Sequence, residues 1–220
     1  MRNAWKFSLS AALALCLTGF PAVTAYAQQN IGYSFDGRVL QLKTERGDYV
    51  KLQDGNCDEG WDGCIVHRFR GTIANDQFYV VDIGYYEGGA INLYSHKSGT
   101  NTVIYGNPFM SPQKKLIATA LGVEATGSEN NGIYLFEIID GEAKEIFRYR
   151  PEGYALYDFS HWTSENDAII NLTTACREYE DGKLTKNEML TLPIKLARTD
   201  SGWQLDQGQG AACIESTKIR

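Results

Sequence analysis

Turn dipeptides cut this chain into short β-rich runs, and that punctuation limits the fold more than any other feature of the sequence. Asp54-Gly55, Ser98-Gly99, Asp140-Gly141, Asp181-Gly182 and Ser201-Gly202 pair a short polar residue with glycine, the chemistry of tight hairpins that need positive φ. Around them lie the runs 38–43, 49–52, 65–70, 77–86, 90–95, 102–105, 115–120, 132–139, 145–149, 168–173 and 188–198. Branched and aromatic side chains are frequent in them, and these fit a pleated surface well. Beyond residue 27, apolar spacing of helical period is almost absent. The sequence predicts one all-β domain over 28–220.

Part of this pattern recurs. Ile91-Asn92-Leu93-Tyr94, Gly99 and Ile104-Tyr105 are matched 42 residues later by Ile133-Tyr134-Leu135-Phe136, Gly141 and Ile146-Phe147. Leu196 with Gly202 repeats the Leu-to-Gly offset, and Leu42 with Gly47 comes within one residue of it. A second landmark, Ser111-Pro112-Gln113-Lys114-Lys115, corresponds to Thr163-Ser164-Glu165-Asn166-Asp167, with Trp162 just before the latter. A period in the forties suits one four-stranded propeller blade. Residues 111–115 resemble the Ser-Pro-Asp-Gly-Lys turn of WD40-like and TolB-like β-propeller repeats, and 159–167 resemble the variant in which a tryptophan precedes that turn. The resemblance covers about residues 90–205. The usual Asp-Gly is replaced by Gln113-Lys114 and Glu165-Asn166, and no repeat carries Trp-Asp. It implies a small propeller-like domain of about four blades, closed or incomplete. A two-sheet antiparallel β-sandwich is the alternative. Propellers host enzymes and binders alike, so the resemblance implies no particular activity.

The first 27 residues read as a removable signal peptide. Arg2 and Lys6 precede an apolar run from Leu9 to Leu17, too short to span a bilayer, and Ala25-Tyr26-Ala27 supplies the small-x-small cleavage pattern. Leu15 is bulky for lipid attachment at Cys16. Cleavage removes two basic residues and no acidic one, leaving 19 basic against 27 acidic and a net charge of −8. That balance disfavours nucleic acid and anionic lipid as partners and favours a basic one. Four cysteines remain, an even number that suits the oxidising periplasm or exterior of a bacterium. The expected pairs are Cys57–Cys64 and Cys176–Cys213, although four cysteines allow three connectivities.

Few residues carry recognisable chemistry. His67, His96 and His161 are the only histidines, and none has metal-ligand spacing. Gly-x-Ser-x-Gly is missing. Asp54, Asn56 and Asp58 take positions 1, 3 and 5 of a calcium loop, but Glu59 and Ile65 stand where glycine and glutamate belong. Calcium is therefore the one cofactor to test, and the expectation is that there is none. Tyr85, Tyr86 and Glu87 beside Gly88-Gly89 are one candidate recognition surface, since tyrosine offers rigid amphipathic area. His161 and Trp162 are the other. These features point to an exported, non-enzymatic module that binds a protein or an envelope component, with a carboxylate-dependent envelope hydrolase as the alternative.

Overall fold

The computed structural model describes residues 32–57, 63–85, 88–122, 130–150, 155–180 and 183–208, the side chains of 178–180 and 183–186 excepted. Among them there is no helix, and fifteen strands make four antiparallel sheets. The first holds β1 (Tyr33–Phe35), β2 (Val39–Lys43) and β3 (Tyr49–Gln53). The second holds β4 (Ile65–Ile73), β5 (Phe78–Tyr85), β6 (Gly88–Ser95) and β7 (Asn101–Ile104). The third holds β8 (Phe109–Met110), β9 (Leu116–Leu121), β10 (Gly132–Ile139) and β11 (Glu142–Tyr149), and the fourth β12 (Ala155–Trp162), β13 (Asp167–Glu180), β14 (Lys183–Thr199) and β15 (Gly202–Asp206). Each sheet is a meander in chain order, and none closes into a barrel. The two-sheet sandwich is thereby replaced by four sheets.

Side-chain alternation explains why they stack. On β5, Phe78 and Val80 pack toward the third sheet while Tyr79 and Val81 pack toward the first. On β10, Ile133 and Leu135 face the fourth sheet while Tyr134 and Phe136 face the second. The middle sheets are thus buried on both faces, so their central strands read as continuous apolar runs instead of alternating ones. The outer sheets differ. Leu40 and Leu42 are buried against the second sheet, but Gln41, Lys43, Lys51 and Gln53 lie on the opposite face. In the fourth sheet Ala168, Ile170, Leu172, Ile194 and Leu196 pack inward, and Asp158, Lys195 and Gln204 stand exposed on the far face. Polar end faces are what a stack of repeats needs to stay soluble.

The first and third turns of the four-stranded sheets lie at one end of the stack together with the β2–β3 turn, and the β1–β2 turn lies at the other. Asp140 and Gly141 both have positive φ, as a two-residue hairpin requires. The turn before Glu142 is fastened to the β6–β7 turn: Ser95 Oγ donates to the Gly141 carbonyl at 2.7 Å, and Ser98 Oγ to Glu142 Oε1 at 2.5 Å. The β2–β3 turn joins the same row, because the Glu45 N–H donates to the His96 carbonyl at 2.8 Å. A second row links the first turns of the later sheets. Lys114 Nζ donates to Asn75 Oδ1, and Ser111 Oγ donates to Glu165 Oε1 at 2.8 Å. The 42-residue repeat falls on this frame, with Leu93 on β6 equivalent to Leu135 on β10. Leu42 on β2 faces forward like both of them. Leu196 does not: it faces back toward the third sheet, because Gly202 lies one position past the two-residue loop of that hairpin. Asp54-Gly55 opens a longer loop instead of a tight hairpin, and Asp181-Gly182 lies outside the described residues.

Candidate functional site

Matching the turns shows that the first sheet is one strand short. Its hairpin β2–β3 aligns with β6–β7 and β10–β11, the last two strands of their sheets, so β1 takes the second-strand position and no strand of the described residues takes the first. A cleft of about 360 Å³ occupies that region, lined by Tyr33, Phe35 and Leu40 from the first sheet and by Asp54, Val66, His67, Arg68 and Phe69 across from them. Tyr33 and Phe35 are each 53 % exposed, although both lie on the inward face with buried Leu42 and Leu40. The Tyr33 and Phe69 rings approach to 4.1 Å between centroids. Exposed aromatic side chains on an otherwise inward face mark a surface that lacks its cover.

His67 supplies the polar group of the cleft. It sits on β4 opposite Ile83, and Asp54 closes on it from the end of the β3 segment. Asp54 Oδ1 accepts from the His67 backbone N–H at 2.7 Å and lies 3.0 Å from Nδ1. Both side chains are largely shielded, at 15 % and 11 % exposure. A carboxylate on Nδ1 fixes the ring and leaves Nε2 as the atom for a ligand. This pair is separated by 13 residues, and nothing in the sequence joins them.

The predicted residues fall in several places. Tyr85 is 48 % exposed at the end of β5 and lines a larger cleft, about 510 Å³, between the second and third sheets with Asp82, Ile91, Ile104 and Leu121. Tyr86 and Glu87 lie outside the described residues. His161 is exposed on the outer face of the fourth sheet, with Nδ1 3.0 Å from Ser160 Oγ. Trp162 turns inward: it packs against the core with Phe159 and Trp203, and its Nε1–H donates to the Phe109 carbonyl at 3.1 Å. The structure therefore does not bring His161 and Trp162 to Tyr85. Of the calcium-loop positions, Asp54 directs one oxygen at His67, Asn56 is exposed, and Asp58 lies outside the described residues. No group of three or more His, Cys, Asp or Glu that could hold a metal occurs among the described residues. Cys57 and Cys64 form a disulfide, and Asn56 lies just outside the ring that it closes. Cys176 is also disulfide-bonded, and its partner, like Cys213, lies outside the described residues.

Compared with models of protein families, with curated proteins and with solved structures, the chain matches none of them. No helix of the described residues is long and apolar enough to cross a membrane.

Proposed function

We propose that this is an exported, non-enzymatic binding module that takes its ligand in the cleft between its first two sheets. Residues 1–27 direct export to the periplasm or exterior, and the mature domain is an open, propeller-like stack of four blades that do not close into a ring. The observation that carries the reading is the cleft itself: half-exposed Tyr33 and Phe35 flank an imidazole whose Nδ1 lies against Asp54. Apolar rings with one oriented polar group are the make-up of a recognition site. The polar end faces support an open stack, because ring closure would need apolar faces there.

The ligand is a protein or an envelope component. Mature protein immobilised and titrated with envelope extract tests this, with the doubly substituted Tyr33→Ser, Phe35→Ser protein run beside it. Saturable retention of one component by the unsubstituted protein alone supports the reading. Equal retention by both proteins, or none at any ionic strength, overturns it.

A hydrolase is the second reading, favoured by one observation: an aspartate-oriented histidine is the arrangement that activates a nucleophile or a water. Against it, the cleft lining offers no serine, threonine or free cysteine among the described residues. Turnover of any substrate in a broad hydrolase panel, abolished by His67→Gln, would reverse the ranking.

A further inference from the structure

We infer that the free edge of β1 accepts an extended segment of another protein as the missing first strand of the first sheet. The inference rests on the binding reading above and names the class of ligand. Backbone geometry carries it. The Lys43 N–H donates to the Gly32 carbonyl at 2.8 Å, and the Asp36 N–H donates to the Val39 carbonyl at 3.3 Å. Antiparallel pairs alternate between hydrogen-bonded and non-bonded, so Ser34–Gln41 is bonded, while Tyr33–Leu42 and Phe35–Leu40 are not. Tyr33 and Phe35 therefore turn their N–H and C=O groups away from β2, along an edge that pairs with no other strand among the described residues. The same two residues hold the half-exposed aromatic side chains. An unpaired edge beside uncovered aromatic surface is a template for strand addition.

No strand of the described residues fills this position. Cleavage after Ala27 leaves only residues 28–31 ahead of Gly32, too few for a strand and a turn. Residues 209–220 carry Cys213, the expected partner of disulfide-bonded Cys176 on the fourth sheet. A second copy pairing through its own β1 would have to fit beside β4, whose Val66, His67, Arg68 and Phe69 line the cleft across from Tyr33 and Phe35. The occupant is then a segment of another protein with apolar side chains at alternate positions, which face Tyr33, Phe35 and Phe69.

The test uses the mature protein and a capped peptide of alternating valine and lysine, with a version N-methylated on the valines as control. Residue-resolved hydrogen exchange should show the Tyr33 and Phe35 amides exchanging freely alone and slowing by roughly tenfold or more with the peptide. The N-methylated peptide should not protect them. Phe35→Pro removes an N–H that β2 does not use, and should weaken binding by roughly tenfold with an unchanged melting midpoint. Equal binding of both peptides overturns the inference. So does protection in the free protein that disappears on deletion of 209–220, which assigns the position to the chain's own tail, or protection that grows with protein concentration, which assigns it to a second copy. N-terminal sequencing of the cellular protein separately decides export: an intact residue 1 overturns that reading and leaves the peptide result standing.

Discussion

Glu165 and Ser111 meet across two sheets: Ser111 Oγ donates to one carboxylate oxygen at 2.8 Å, and the Gln113 N–H donates to the other at 2.8 Å. The two residues belong to equivalent turns, 54 positions apart, so the tie fixes one sheet against the next. Ser111 also accepts from the Leu116 N–H at 3.0 Å, which couples its own hairpin to the joint. Glu165→Ala should cost about 1–2 kcal/mol of unfolding free energy, given two charge-assisted bonds at a half-shielded site. Denaturant titration measures it. A loss below a few tenths of a kcal/mol would mean that the turns are aligned by packing alone.

Close backbone approach between the third and fourth sheets makes a separate prediction. A Cβ at Gly122 would lie 2.5 Å from the Tyr157 nitrogen and 2.6 Å from the Leu156 Cα, and neither is the end of a flexible side chain. Gly122→Ala therefore forces β9 and β12 apart, at a cost of about 1–3 kcal/mol. Gly37→Ala is a contrast, because it meets no atom within 4 Å and strains only a φ of +96°. A smaller destabilisation at Gly122 than at Gly37 would contradict the packing argument.

The fold class and the repeat were legible because burial on both faces leaves a mark on sequence: runs such as 77–86 and 132–139 are apolar at consecutive positions. The boundaries of β10 agree with the run read there, residue for residue. β1 was missed. Three residues between Gly32 and Asp36 carry no period, and what makes them a strand is pairing with β2. β12 was read only as a repeat landmark, although Ala155, Tyr157 and Phe159 alternate inward. The cleft was illegible for the same kind of reason. Asp54 and His67 lie 13 positions apart and come together only in the fold, and Tyr33 and Phe35 matter because no described strand pairs next to them. Trp162 was read as a surface candidate because aromatic residues near turns serve recognition and packing equally well.

The Cys57–Cys64 bond closes a short loop that starts beside the cleft. Loop-closure entropy for a ring of this size gives about 2 kcal/mol. The double substitution Cys57→Ser, Cys64→Ser should lower stability by that amount and should also speed exchange of the His67 amide, which Asp54 holds at 2.7 Å. If global stability falls while His67 stays protected, the loop does not hold Asp54 in place.

Acid should open the cleft before it unfolds the domain. Asp36 caps the β1–β2 turn, its Oδ1 accepting from the Arg38 N–H at 3.0 Å and the Val39 N–H at 2.8 Å. The bond from Arg38, then that from Val39, holds the carboxyl below its ordinary value of 3.8 in the folded chain. A group whose folded pKa is depressed stabilises the fold fully above its unfolded pKa and loses that contribution as pH falls through the folded value. The window therefore lies below about pH 4. Because the turn positions Tyr33 and Phe35, their side-chain NMR signals should shift there while buried Leu135 on β10 stays unchanged. Asp36→Asn removes the titrating group, so its spectra should lose that step and keep any later, global one. A step that survives in the Asn variant would place the acid-sensitive group elsewhere.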